Sequence, residues 1–228
     1  MLRLDKSVQG VIFDLDGTLV DSMWVWGDID IHYLGSFGIA VPEDLQVLLG
    51  GLSFRQTAHY FRDHFGIRDP VEVIEATWNR MARDRYRDEV KLKTGAAAFL
   101  AHIRDRGIPV GIATSNSREL VDVLLGSLGI ADLFSAVVTG NEVMNGKPDP
   151  EVYLTCAGMM HTDPAGILVF EDVVNGIMAA RRAGMKVCAV YDDHCSRLDS
   201  EKKDLADYFI YDYLAPSFNA SVRPDRRK

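Results

Sequence analysis

Five short runs of apolar, β-branched residues recur along the chain, at positions 8–13, 109–113, 136–139, 166–170 and 186–191. Each is too short for a helix and lacks polar alternation, as expected of a strand buried on both faces. The segments between them carry helical spacing and helical punctuation. Residues 96–106 follow Thr94-Gly95 and close at Gly107; Leu120, Val123, Leu124 and Leu128 recur at helical intervals before Gly129. Pro150 opens a further helix near Glu151, and residues 173–183 form another that ends at Gly184. Strand and helix in alternation predict an α/β fold, a doubly wound, Rossmann-like parallel sheet covered on both faces.

The alternation breaks once. Residues 23–93 contain no predicted strand, only helix-like segments such as 54–65 and 71–87, with a polar Gly50-Gly51-Leu52-Ser53 loop between helical stretches. This is the pattern of an inserted helical domain. The expected division is a core of residues 1–22 and 94–228 with a helical cap of residues 23–93. The polar, basic-ended residues 216–228 are expected to be loosely held.

Composition narrows the function. The 228 residues carry 33 acidic and 25 basic side chains, a formal net charge of −8, which disfavours a nucleic-acid surface. Three irregularly spaced cysteines form neither a disulfide framework nor a C-x-x-C metal site. With no apolar run near the roughly 18 residues of a membrane span and no apolar leader, the expectation is a cytoplasmic protein with no membrane partner. The oligomeric state stays open.

The chemistry concentrates where the predicted strands end, the edge at which α/β proteins bind ligands. Asp14-Leu15-Asp16-Gly17-Thr18 follows the first strand. Two carboxylates so close repel unless a cation or a proton intervenes, and oxygen-only donors favour magnesium over zinc; an acidic turn is the plainer alternative. Thr114-Ser115-Asn116 ends the second strand with hydroxyls, an amide and backbone donors at a helix start, a cradle for phosphate oxygens or simply a cap. Lys147, in Gly146-Lys147-Pro148, places one cation after the third strand, and Glu171-Asp172 ends the fourth. Adjacent acids there either satisfy a helix dipole or complete a metal site with Asp14.

In this order the four segments, DLDGT, TSN, the lysine of GKPDP and the acidic pair of VFEDVVNG, resemble the motifs of the haloacid dehalogenase superfamily across essentially the whole chain. A helical insertion directly after the first motif is similar to the phosphatase and β-phosphoglucomutase-like branch. The resemblance implies Asp14 as the nucleophile that forms an aspartyl-phosphate and Asp16 as the acid/base. It implies phosphoryl binding by the Thr114 hydroxyl and the Ser115 amide, with Asn116 beside them, and charge balance by Lys147. It also implies Mg2+ held by Asp14, the Asp16 carbonyl and Asp172, with Glu171 nearby or bound through water.

Within the resembled superfamily an acid at the position of Asp16 goes with phosphate esters, so the resemblance implies a magnesium-dependent phosphatase acting on a small phosphorylated metabolite. A β-phosphoglucomutase or related sugar-phosphate mutase is the first alternative. Within the resembled branch that enzyme carries a histidine twelve residues past the nucleophile, where this chain has Trp26. A non-catalytic phospho-ligand-binding regulator is the second. Arg55 is the candidate substrate contact from the cap, against an ordinary solvated arginine. Asp192-Asp193 reads as a loop pair outside the site. Trp24, Trp26 and Tyr33 either pack the cap's own core or face the substrate.

Overall fold

The computed structural model describes residues 4–214 and the backbone of residues 219–220. In chain order the elements are β1 (Gly10–Phe13), β2 (Val20–Asp21), α1 (Met23–Gly35), α2 (Leu45–Leu49), α3 (Phe54–Phe65), α4 (Val71–Asp88), β3 (Lys91–Leu92), α5 (Ala96–Asp105), β4 (Val110–Thr114) and α6 (Arg118–Leu128). They continue with β5 (Ala136–Thr139), α7 (Glu151–Met159), β6 (Ile167–Glu171), α8 (Val174–Arg182), β7 (Lys186–Val190), α9 (Asp199–Leu205), β8 (Tyr208–Ile210) and β9 (Asn219–Ala220).

Six of these strands form a parallel sheet in the order β5-β4-β1-β6-β7-β8, and β9 adds to β8 in antiparallel sense. The five strands expected from sequence are all present. The sixth parallel strand, β8, is three residues long and too short to show a pattern. Of the terminal stretch 216–228, Asn219–Ala220 pair with β8 and the remainder lies outside the described residues.

From β1 the chain steps outward through β4 to β5, then returns to the other side of β1 and steps outward again from β6. The reversal leaves a crevice at the C-terminal ends of β1, β4 and β6, where nothing in the sheet's own connections fills the space. The tips bordering it are held by packing. Phe13, the last residue of β1, stacks on Phe170 in β6 with ring centroids 4.9 Å apart, and Phe99 of α5 meets both edge-on. All three are fully buried. Buried aromatic pairs of this kind add about 0.5–1.5 kcal/mol beyond area burial. Here they fix the residues that immediately precede Asp14 and Glu171.

Between residues 23 and 88 the regular elements are all helices, as their patterning implies, but the insertion begins and ends on a feature the pattern does not reveal. Val20–Asp21 pair antiparallel with Lys91–Leu92, a two-stranded ribbon that brings the chain out of the core and back. Two-residue strands carry no periodicity, which is why sequence misses them. Helix α1 is apolar on nearly all sides and so lacks the amphipathic signature. Ser53 caps α3: its hydroxyl accepts from the Gln56 N–H while the Gln56 side chain accepts from the Ser53 N–H. The buried side chains of α1, α3 and α4, among them Ile29, Phe61 and Trp78, are continuous with the core on one face of the sheet. No helix among the described residues is long and apolar enough to cross a membrane.

Candidate active site

The four sequence segments converge on the crevice. A cavity of about 150 Å3 is lined there by Asp14, Asp16, Thr114, Ser115, Asn116, Lys147 and Asp172 from the sheet edge, and by residues of α1 to α4 opposite.

Asp14 follows β1 directly, and its N–H donates to the Phe170 carbonyl at 3.0 Å, so its position is set by the β1–β6 ladder. Its carboxylate is buried and accepts from Lys147 Nζ at 2.6 Å. Lys147 also donates to Glu171 Oε1 at 2.6 Å and lies 5.1 Å from the centre of the Tyr153 ring. Burial opposes the lysine's charge, but Asp14 and Glu171 outweigh it and hold the ammonium well above its usual range. Burial pushes the Asp14 carboxyl well up; Lys147 counters this, while Glu171 and Asp172 add to it.

Asp16 is held by three donors. Ser22 Oγ reaches Oδ1 at 2.6 Å, Asn116 Nδ2 reaches Oδ2 at 2.8 Å, and the Tyr86 phenol, from α4, donates to Oδ1. Asn116 also donates to the Tyr86 oxygen at 3.1 Å, tying the second motif to the insertion. Between the two aspartates and the next turn, Gly17 adopts φ +75°, and a Cβ there would stand 2.5 Å from Asp172 Oδ2. The turn therefore needs glycine both for its backbone and for the approach of Asp172.

Asp172 Oδ1 accepts from the Thr18 hydroxyl at 2.7 Å. Burial, then Glu171 and Asp192, push its carboxyl up to about 7. Asp192, expected outside the site, does not line the cavity but is buried, paired with Lys93 at 2.8 Å, and near enough for its charge to act on Asp172. Glu171, read from sequence as a metal-site residue, has both oxygens engaged elsewhere. Oε1 accepts from Lys147 and from the Tyr153 hydroxyl at 3.1 Å, and Oε2 accepts from the Val173 N–H at 2.8 Å. Its placement is that of a support for Lys147.

Thr114 Oγ1 accepts from the Asn116 N–H at 3.1 Å, leaving its own proton to donate. Ser117 caps α6, its hydroxyl accepting from the Leu120 N–H at 3.3 Å, so the helix starts two residues after the cavity-lining Asn116. The loop ahead of α3 lies directly on this edge: Phe54 N–H donates to the Ser115 carbonyl at 2.9 Å, and Ser115 Oγ donates to the Gly51 carbonyl at 3.2 Å. Gly51, at φ +89°, sits where a Cβ would come within 2.7 Å of Asn175 Cβ.

Arg55 is not brought to the cavity. Its guanidinium is half exposed and lies 3.4 Å from both Glu72 and Glu75. Trp26 does line the cavity, edge-on to Phe54 and Tyr86, whereas Tyr33 packs among Phe37, Phe61 and Trp78, and Trp24 lies under Arg85. Sequence reasoning missed Tyr86, Ser22 and Tyr153, because polar residues inside a helix or loop have no pattern that announces a distant partner.

The oxygen donors fit a divalent cation. Two buried carboxylates, Asp14 and Asp172, are both pushed up, Asp172 adding to the shift of Asp14, and both gain from a nearby positive charge. Among the described residues no three His, Cys, Asp or Glu side chains form a metal-holding group. What the cavity offers a cation there is these two carboxylates and no thiolate or imidazole, a hard oxygen chemistry.

Comparison with known proteins identifies the family. Residues 11–190 match the family model of haloacid dehalogenase-like hydrolases. The chain is 31% identical over 230 residues to the mitochondrial (DL)-glycerol-3-phosphatase 1 of Arabidopsis thaliana, covering 94% of this chain and 76% of that protein. It is 31% identical over 188 residues to the bifunctional riboflavin kinase/FMN phosphatase of the same plant, covering 82% of this chain and 49% of the relative, so it spans about half of that protein's length. Among solved structures, the β-phosphoglucomutase of Clostridium difficile superposes with a TM-score of 0.77 at 20% identity, over 90% of this chain and 92% of that one, a likeness of fold.

Proposed function

Because the chain belongs to the haloacid dehalogenase-like hydrolase family, we propose that it is a magnesium-dependent phosphatase that cleaves a small phosphorylated metabolite through an aspartyl-phosphate on Asp14. The observation that carries this reading is the gathering of Asp14, Asp16, Thr114, Lys147 and Asp172 on one cavity at the sheet's C-terminal edge.

In the proposed reaction an Asp14 oxygen attacks phosphorus as the bond to the alcohol oxygen breaks. Asp16 gives its proton to the departing alkoxide, then takes one from the water that attacks the acyl phosphate, so each half-reaction restores what the other used. The three donors around Asp16 hold its carboxyl in one orientation through both steps. Lys147, the Thr114 hydroxyl and the Ser115 amide would receive the equatorial oxygens, where charge is spread during transfer. Asp14, Asp172 and the Asp16 carbonyl would hold Mg2+, which would supply positive charge to offset that of the phosphoryl oxygens.

We read residues 23–93 as a cap over the core of 1–22 and 94–228, its role being to keep bulk water from the site while the ester is bound. The three cysteines are free and buried, which suits a reducing, cytoplasmic setting. Relatives named as phosphatases support hydrolysis over isomerisation, as does Trp26 in the cavity wall. The test is Asp14→Asn with p-nitrophenyl phosphate and magnesium. Phosphate release should fall by about three orders of magnitude or more with the fold intact, and an unchanged rate would end the proposal.

A further inference from the structure

The cavity has a second half, walled by the helical insertion, that the chemistry above does not use. Three rings face it: Phe54 lies 5.8 Å from Trp26 and 5.5 Å from Trp78, centroid to centroid, in edge-to-face contact. Into this aromatic wall α1 brings Asp30, 6% exposed, whose Oδ2 accepts from Gln46 Nε2 of α2 at 2.5 Å. Among the described residues no lysine, arginine or histidine pairs with Asp30; burial pushes its carboxyl up to about 7, and Gln46 alone opposes this. The cavity lining contains one basic side chain, Lys147, and that is committed to Asp14 and Glu171.

An acid in an apolar wall without a countercharge opposes folding, so it marks a place where a ligand supplies what the protein does not. The surroundings say what that ligand offers. A second phosphate or a carboxylate on the substrate would face Asp30 with no cation to receive it. A hydroxyl or N–H donor would complete the carboxyl's hydrogen bonding, and a flat body would lie against the three rings.

We propose that Asp30, positioned by Gln46, selects phosphate monoesters whose alcohol is uncharged, ring-bearing and equipped with a hydrogen-bond donor, and rejects esters that carry a second anion. This rests on the phosphatase reading and extends it to the leaving-group end of the same site. It also separates the chain from phosphomutases, whose turnover passes through a doubly phosphorylated species.

The test uses three aryl esters of similar size: phenyl phosphate, 3-(hydroxymethyl)phenyl phosphate and 3-carboxyphenyl phosphate, each assayed with magnesium on the full chain. In the parent protein kcat/KM should be highest for the hydroxymethyl ester and lower by about tenfold or more for the carboxyl ester. Comparing the ratio of the two between parent and variant cancels their intrinsic reactivities. Assayed at pH 8, where Asp30 is ionised, Asp30→Asn should raise the carboxyl-to-hydroxymethyl ratio by about tenfold, the effect of removing one like charge at close range. Asp30→Ser provides the same reading if the asparagine variant does not fold. Equal hydrolysis of the carboxyl and hydroxymethyl esters by the parent, or an unchanged ratio in a folded variant, would overturn the role of Asp30 alone. Failure of the parent protein to hydrolyse any of the three would overturn the phosphatase reading and this inference with it.

Discussion

The Lys147 ammonium stands 2.6 Å from Asp14 Oδ1, with both side chains buried at the tip of the sheet. The pair joins the loop after β5 to the residue after β1 and is completed by Glu171, so one cation serves two acids. Removing it by Lys147→Met would leave both acids buried and unpaired, a loss of about 3–5 kcal/mol. For a chain of this size that lowers the melting temperature by about 10 °C. Differential scanning calorimetry reads the effect, and turnover should fall to near background in the same variant.

The Tyr86 phenol reaches from the insertion to Asp16. Tyr86→Phe removes one of three donors without altering the ring's packing against Trp26. Asp16 would then be less firmly oriented, and kcat should drop about tenfold with KM little changed, since the interaction belongs to the proton-transfer step rather than to ester binding. Steady-state kinetics distinguishes this from a general loosening of the cavity, which would raise KM.

Asp14 and Asp172 gain from a cation between them, so metal removal should stop turnover, and magnesium should raise stability as well as restore rate. A thermal shift in magnesium that is absent in Asp172→Asn would place the ion at that carboxylate. Full activity in chelator would exclude it.

Asp30 makes stability depend on pH in an unusual sense. Its carboxyl is raised from 3.8 to about 7 by burial, so between those values the folded chain holds a proton that the unfolded chain has lost. Stability from this group therefore falls as pH rises through that window and is flat above it. Asp30→Asn should melt several degrees above the parent at pH 8, a gain on the order of 2–4 kcal/mol, and show little difference near pH 4. Thermal melts of both proteins across that range check the sign.

Much of the core was legible because buried parallel strands are continuous apolar runs, and the acids that matter stand immediately after them, as Asp14 does after Phe13. Order along the chain then translates into proximity at one edge. The insertion was legible only as an interruption. Its two-residue ribbon, Val20–Asp21 with Lys91–Leu92, is too short for a period, and α1 is too uniformly apolar for a moment. Which cap residues face the cavity depends on helix rotation: Arg55 turns out to meet Glu72 and Glu75, while Asp30, one acid among 33, faces the rings. The support of Lys147 by Glu171 was equally hidden, since adjacent residues at the end of a strand alternate sides, and of the two acids only Asp172 lines the crevice.

The central claim is that Asp14 carries the phosphoryl group. The most direct measurement is to quench the magnesium-supplied protein during turnover of a phosphate ester, reduce it with borohydride, and map the modified residue by peptide mass spectrometry. The account predicts reduction of an acyl phosphate at Asp14, absent in a sample without ester. Modification at another residue, or sustained turnover with none at Asp14, would contradict it.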